Sequence, residues 1–95
     1  MAIKRVCMVL KGKVQGVFFR DFAKQNANKL SIVGYAKNLR NGDLEIVAQG
    51  EEGNLEEFMR LCKSGPIFAK VEGVQVKDED IESEDEYEFF DMRYS

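Results

Sequence analysis

Lys4-Arg5-Val6-Cys7-Met8-Val9-Leu10-Lys11-Gly12-Lys13-Val14-Gln15-Gly16-Val17-Phe18-Phe19-Arg20 changes its apolar period part-way along. From Lys4 to Lys11 the pattern is that of a strand, with Val6, Met8 and Leu10 on one face and Cys7 and Val9 on the other, so both faces carry apolar residues and a central strand is expected. Beyond the glycines the apolar residues are Phe19, Phe22, Ala23, Ala27 and Leu30, a helical stripe of about three turns that can cover a sheet. Gly12 and Gly16 make the change of direction, and Arg20 falls in the first turn of the helix. A cation there faces the positive end of the helix dipole, which is unfavourable unless an anion sits between the arginine and the free amides.

Downstream the elements repeat. Ile32 to Leu39 and Leu44 to Ala48 read as two strands joined through Arg40-Asn41-Gly42-Asp43, where Asn-Gly supplies a hairpin turn. Leu55, Phe58, Met59 and Cys62 stand at helical spacing, Asn54 with Glu57 reads as a capping box, and Ser64-Gly65-Pro66 as the stop. A strand follows from about Ala69 to Lys77, with a bulge expected at Glu72-Gly73, and Phe90, Met92 and Tyr94 alternate in a short terminal strand. Strand, helix, strand, strand, helix, strand is the split βαβ order. The expected fold is α+β, a ferredoxin-like antiparallel sheet with two helices on one face. That fold hosts enzymes, RNA-binding modules and small-molecule sensors, so function must be read from the site.

The chain of 95 residues is expected to form a single domain, 1–95, and with 44% hydrophobic and 11% aromatic residues it is a folded rather than a disordered sequence. No apolar run approaches a membrane span and no hydrophobic signal segment opens the chain, so a soluble, cytoplasmic protein without a membrane partner is expected. Monomer is the default from the polar composition. With no histidine and two cysteines, a His/Cys metal site is essentially excluded and no cofactor is expected, while Cys7 and Cys62 read as buried thiols rather than a disulfide. The net charge of −3 is divided: residues 1–40 hold nine basic residues and one acidic, Asp21, and the remainder five basic and sixteen acidic. The basic half could draw in a small anion, or be a solvated surface balanced by the acidic half. The run from Asp78 through Glu86 reads as an exposed loop, and its charge opposes binding to a nucleic-acid backbone.

The loop Gln15-Gly16-Val17-Phe18-Phe19-Arg20 has the makings of a phosphate nest, with backbone N–H groups turned inward and Arg20 adding a planar fork of donors. Asn38, at the end of the second strand, carries an amide that both donates and accepts. By itself it reads as a turn-adjacent residue. Gly12 to Arg20 closely resembles the signature of acylphosphatases, and Gly34-Tyr35-Ala36-Lys37-Asn38 with Gly42 resembles their second signature; Arg93-Tyr94 is similar to the family's ending. The resemblance spans nearly the whole chain and implies the same fold. It also implies Arg20 and Asn38 as catalytic residues, and Gln15, Gly16, Val17, Phe18, Phe19 and Arg20 as the phosphate-binding loop. The implied reaction is metal-independent hydrolysis of small acyl phosphates to a carboxylate and inorganic phosphate, with Asn38 placing the water. Lys37 could add positive field or sit on a wet face, Phe19 is expected in the core, Phe18 has no side-chain role, and Arg93 and Tyr94 are expected to fasten the last strand. The alternatives are an anion-sensing or RNA-binding module on the same fold, and an acylphosphatase-like domain serving carbamoyl-phosphate chemistry in a larger enzyme.

Overall fold

The computed structural model describes residues 2–94. Strands β1 (Ile3–Lys13), β2 (Val33–Asn38), β3 (Leu44–Glu51), β4 (Lys70–Glu79) and β5 (Phe90–Tyr94) form one sheet in the order β4-β1-β3-β2-β5. Helices α1 (Phe19–Lys29) and α2 (Glu52–Ser64) follow β1 and β3. The first four strands pair antiparallel, which gives the split βαβ arrangement, with β3 inserted between β1 and β2 and β1 inserted between β3 and β4. The fifth strand departs from the expected antiparallel pattern, since β5 lies parallel to β2 at the sheet's far edge. No helix among the described residues is long and apolar enough to cross a membrane.

Register sorts the side chains into two faces. Val6, Met8 and Leu10 of β1 pair with Ala48, Ile46 and Leu44 of β3, which pair in turn with Gly34, Ala36 and Asn38 of β2. Phe90, Met92 and Tyr94 of β5 complete those rows. The apolar members of these rows pack with Phe19, Ala23 and Ala27 of α1 and Leu55, Phe58 and Cys62 of α2 into the core. An edge-to-face aromatic pair, Phe58 of α2 on Phe90 of β5 at 5.7 Å between ring centroids, locks the layers, and a second, Phe19 on Phe22 at 5.8 Å, lies along α1. Gly34 is required by this packing: it has φ 138°, and a Cβ there would overlap the carbonyl oxygen of Val47 on β3.

Two expectations about local structure change. The capping box at Asn54 is absent: β3 runs on to Glu51, paired with Ile3, and the Glu52 amide donates to the Ala2 carbonyl at 3.1 Å, so α2 starts directly out of the strand with Glu51 as an N-cap lacking a side-chain bond. Glu57 pairs instead with Arg60 along the helix. The stop at Gly65 and the bulge hold, since Gly65 caps α2 with φ 73°, and Glu72 is the extra residue between the Lys11–Gly73 and Gly12–Val71 pairs. Both cysteines are free thiols, but only Cys62 is buried; Cys7 lies on the face the helices leave open and is half-buried.

The acidic run has exposed carboxylates, as expected, but it is a strap rather than a free loop. Because β4 and β5 occupy opposite edges of the sheet, residues 80–89 must cross its full width. They cross the face opposite the helices and are tied down by Arg5, a buried cation of β1. Arg5 donates through Nε and Nη2 to Gln49 Oε1 at 2.9 and 2.6 Å, and through Nη1 to Glu86 at 3.0 Å. Gln49 in turn donates to the Glu84 carbonyl at 2.9 Å, and Tyr87 lies under the Arg5 guanidinium at 4.9 Å.

Candidate active site

The loop between β1 and α1 opens where the core rows end. Gly16 has φ 70° and Phe18 has φ 59°, so the chain turns twice through left-handed backbone before the helix begins. At Gly16 this needs glycine's freedom alone, since nothing lies within reach of a Cβ there. At Phe18, the N-cap of α1, the same backbone region costs an L side chain roughly 1–2 kcal/mol. Val17 and Phe19 point inward and are buried, which fixes the loop from below. The Gln15 side chain fixes it from the side, donating to the Leu39 carbonyl at 2.7 Å and the Asp43 carbonyl at 2.8 Å and so tying it to the β2–β3 turn. Among the described residues, no amide from Gln15 to Arg20 donates to a protein acceptor. Together with the helix end, these free amides form an electropositive cradle.

Arg20, in the first turn of α1, reaches across to β5. Its Nη1 donates to the Arg93 carbonyl at 3.1 Å and its Nη2 to the Tyr94 hydroxyl at 2.9 Å, and the guanidinium lies 4.0 Å from the Tyr94 ring centre. These bonds occupy one donor of each terminal nitrogen and leave the others, with Nε–H, for a ligand. The long side chain is therefore held in place before any substrate arrives, which lowers the entropy it would lose on binding.

Asn38 enters from the sheet. It is the last residue of β2, in the row of Leu10 and Leu44, so its amide lies on the helix face, where an apolar residue would continue the core. Its Oδ1 is buried and has no protein hydrogen-bond partner. Such an acceptor costs about 1–3 kcal/mol, which a water or a ligand donor held against it recovers. Asn38 and Arg20 line one pocket of about 430 Å³, together with Val14, Gln15, Gly16, Phe18, Phe19, Asp21, Met92 and Tyr94.

The two residues singled out for chemistry are thus brought to one pocket, with five of the six loop positions, Arg20 among them, directly on its wall. Lys37 is not among them: it alternates with Asn38 and belongs to the open face, paired with Glu45 and Arg93 in the neighbouring strands. Tyr35 shares that face. Its hydroxyl donates to Glu45 at 2.7 Å and its ring carries the Arg93 guanidinium at 4.3 Å; burial, then the Glu45 carboxylate, push its pKa well above the ordinary phenol range. Sequence reasoning missed two supports of the site. Tyr94 does more than fasten β5, since it also clamps Arg20, and Gln15 acts through its side chain as well as its amide. The alternation of Phe90, Met92 and Tyr94 was a usable signal for the first; nothing local marks the second.

Comparison with known proteins identifies the family and the fold. The acylphosphatase family model matches residues 6–92. The acylphosphatase of Archaeoglobus fulgidus is 47% identical over 85 residues, covering 90% of this chain and 92% of that protein. The crystal structure of acylphosphatase from Bacillus subtilis superposes with a TM-score of 0.86 at 32% identity, covering 96% of this chain and 98% of that one. HypF of T. kodakarensis superposes with a TM-score of 0.82 at 30% identity, covering 97% of this chain but only 12% of that much longer protein. With a fold, a loop and a strand-end asparagine of this kind, and with relatives aligned from end to end, the chain belongs to the acylphosphatase family.

Proposed function

We infer that the hydrolysis of acyl phosphates, the activity of this family, is carried in this chain by Arg20 and Asn38. The free amides from Gln15 to Arg20 and the unused donors of Arg20 hold the phosphoryl oxygens, and Asn38 places the attacking water. The water oxygen bonds to phosphorus as the bond from phosphorus to the acyl oxygen breaks. The carboxylate leaves with the bonding electrons and needs no proton, and the water's proton passes to the phosphate product. No protein base is required, so the site has only to position the reactants and stabilise charge.

The observation that carries this reading is the buried, unpartnered Asn38 oxygen on the wall of the pocket that holds Arg20. Residues 1–95 act as one domain, and the protein works as a cytoplasmic monomer without a metal, a reading supported by its composition. The binding-module and carbamoyl-phosphate alternatives are not favoured, because relatives matched over nearly their whole length are acylphosphatases, such as that of Vibrio vulnificus at 44% identity over 92 residues. The test is hydrolysis of acetyl phosphate with inorganic phosphate as inhibitor. Competitive inhibition, with loss of both turnover and phosphate binding in folded Arg20→Ala, is expected; an Arg20→Ala variant that keeps its turnover would overturn the assignment.

A further inference from the structure

The pocket holds more than a phosphoryl group needs. At about 430 Å³ it falls in the range of sites that enclose whole small molecules. Its polar groups, Arg20, Asn38 and the loop amides, account for the phosphate end. Two further side chains on its wall, Phe18 and Met92, have no part in that, and beside them Tyr94 holds Arg20 through its hydroxyl and ring while remaining largely exposed.

Phe18 is the most telling. A bulky residue in the left-handed region is an outlier, and such strain persists where the position has a use. Packing is not that use, because Phe18 is 77% exposed, in contrast to Phe19 beside it, which is 2% exposed. Glycine would take the same backbone without strain. Met92 and Tyr94 arrive by a different route. They follow the buried Phe90 on the helix face of β5, so the apolar row of that strand runs out of the core and into the pocket, where Met92 is 37% and Tyr94 76% exposed.

We propose that Phe18, Met92 and Tyr94 seat the acyl group, and that the enzyme favours acyl phosphates with an aromatic acyl part over those with a small one such as acetyl. The proposal rests on the phosphoryl end being held by Arg20 and the loop. Two aromatic rings and a thioether match a flat aromatic group, which gains from ring stacking, edge-to-face contact and sulfur contact. An acetyl group offers one methyl and reaches little of this surface. Selectivity is therefore set by the side chain of a residue whose amide belongs to the phosphate loop.

The experiment compares kcat/KM for benzoyl phosphate and acetyl phosphate in the parent, Phe18→Gly and Met92→Ala. The ratio within each protein removes changes common to both substrates, and comparing ratios between proteins removes the intrinsic reactivity of the two anhydrides. Glycine suits the Phe18 backbone, so the ring is deleted without adding strain. The benzoyl-to-acetyl ratio is expected to fall about tenfold in Phe18→Gly, the scale of one aromatic contact, and in the same direction in Met92→Ala. A ratio within twofold of the parent in Phe18→Gly overturns the proposal, even where both rates fall together. Should Phe18→Gly lose measurable turnover on both substrates, the ratio in Met92→Ala decides by the same criterion. Arg20→Ala, assayed in parallel, separates the two levels: loss of both substrates with an unchanged Phe18→Gly ratio removes the acyl seat alone, whereas retained turnover removes the site itself.

Discussion

Replacing Asn38 with alanine should uncouple stability from activity in opposite directions. A strand-end asparagine with a structural role would donate or accept a bond whose loss weakens the fold. Here Oδ1 is buried without a protein partner, so the folded protein carries an unsatisfied acceptor worth roughly 1–3 kcal/mol of lost hydration. Alanine removes that acceptor, and Asn38→Ala should be no less stable than the parent, with a gain of up to about 1 kcal/mol where water does not already compensate. Turnover should fall by about 100-fold, or roughly 2.7 kcal/mol of transition-state stabilisation, if the amide positions the water. Phosphate should still bind almost as before through Arg20 and the loop amides. Asn38→Asp should do no better than alanine, since a carboxylate lacks the donor and repels the anionic substrate. Urea unfolding gives the stability, acyl phosphate hydrolysis per folded molecule gives the turnover, and calorimetry gives the phosphate affinity. A variant destabilised by more than about 1 kcal/mol, with turnover per folded molecule unchanged, would refute the reasoning and return Asn38 to a structural role.

Arg20→Lys should stay folded and lose most activity, because a point charge cannot keep the Arg93 carbonyl and Tyr94 hydroxyl bonds while offering a fork to phosphate; near-normal turnover would count against the fork. Dialysis against a chelator should leave turnover unchanged, and activity lost there and restored by a divalent ion would contradict the metal-free mechanism. Arg5→Ala should cost about 3 kcal/mol by urea unfolding, since it strands Gln49 and releases Glu86 of the strap; a change under about 0.5 kcal/mol would show the strap to be held by other means. Burial pushes the Cys62 thiol up to about 12, and Cys7, Tyr35 and Tyr87 are also raised, each chiefly by burial. Groups raised in the folded state contribute stability that is full below their unfolded pKa and lost as pH climbs toward the folded one. The urea midpoint should therefore fall from about pH 9 upward, and Cys62 should resist alkylation at pH 8 until the protein unfolds; a rising midpoint would contradict the sign.

The sequence was most legible where a local rule applies. Periodicity found β1 to β4 and both helices, because an element that covers one face of a sheet must repeat its apolar residues at its own pitch. Gly16 was legible because a tight turn asks for glycine's freedom, and Arg20 because a cation at a helix start is unfavourable without an anion. The capping box at Asn54 misled because a long-range pairing, Glu51 with Ile3, decided where the strand ended and left no room for a cap. The direction of β5 and the course of the strap were hidden for the same reason, since both depend on which edge of the sheet is free. Within the site, the likeness of two motifs supplied Asn38. Its physical peculiarity, a polar amide in an apolar row, became visible only when register placed it beside Leu44.

The clamp on Arg20 has a consequence for how the protein is made. Its two partners lie 73 and 74 residues further along the chain, so contacts between residues far apart in the sequence finish the site. Helices and the central hairpin can assemble while the chain is still emerging from the ribosome, but Arg20 stays unrestrained until Arg93 and Tyr94 have cleared the exit tunnel and β5 has docked. Contacts of such long separation close late, because loop entropy must be overcome before they reward the fold. A nascent chain stalled before β5 would then be folded in its first four strands yet catalytically silent, and the onset of turnover would mark the docking of β5.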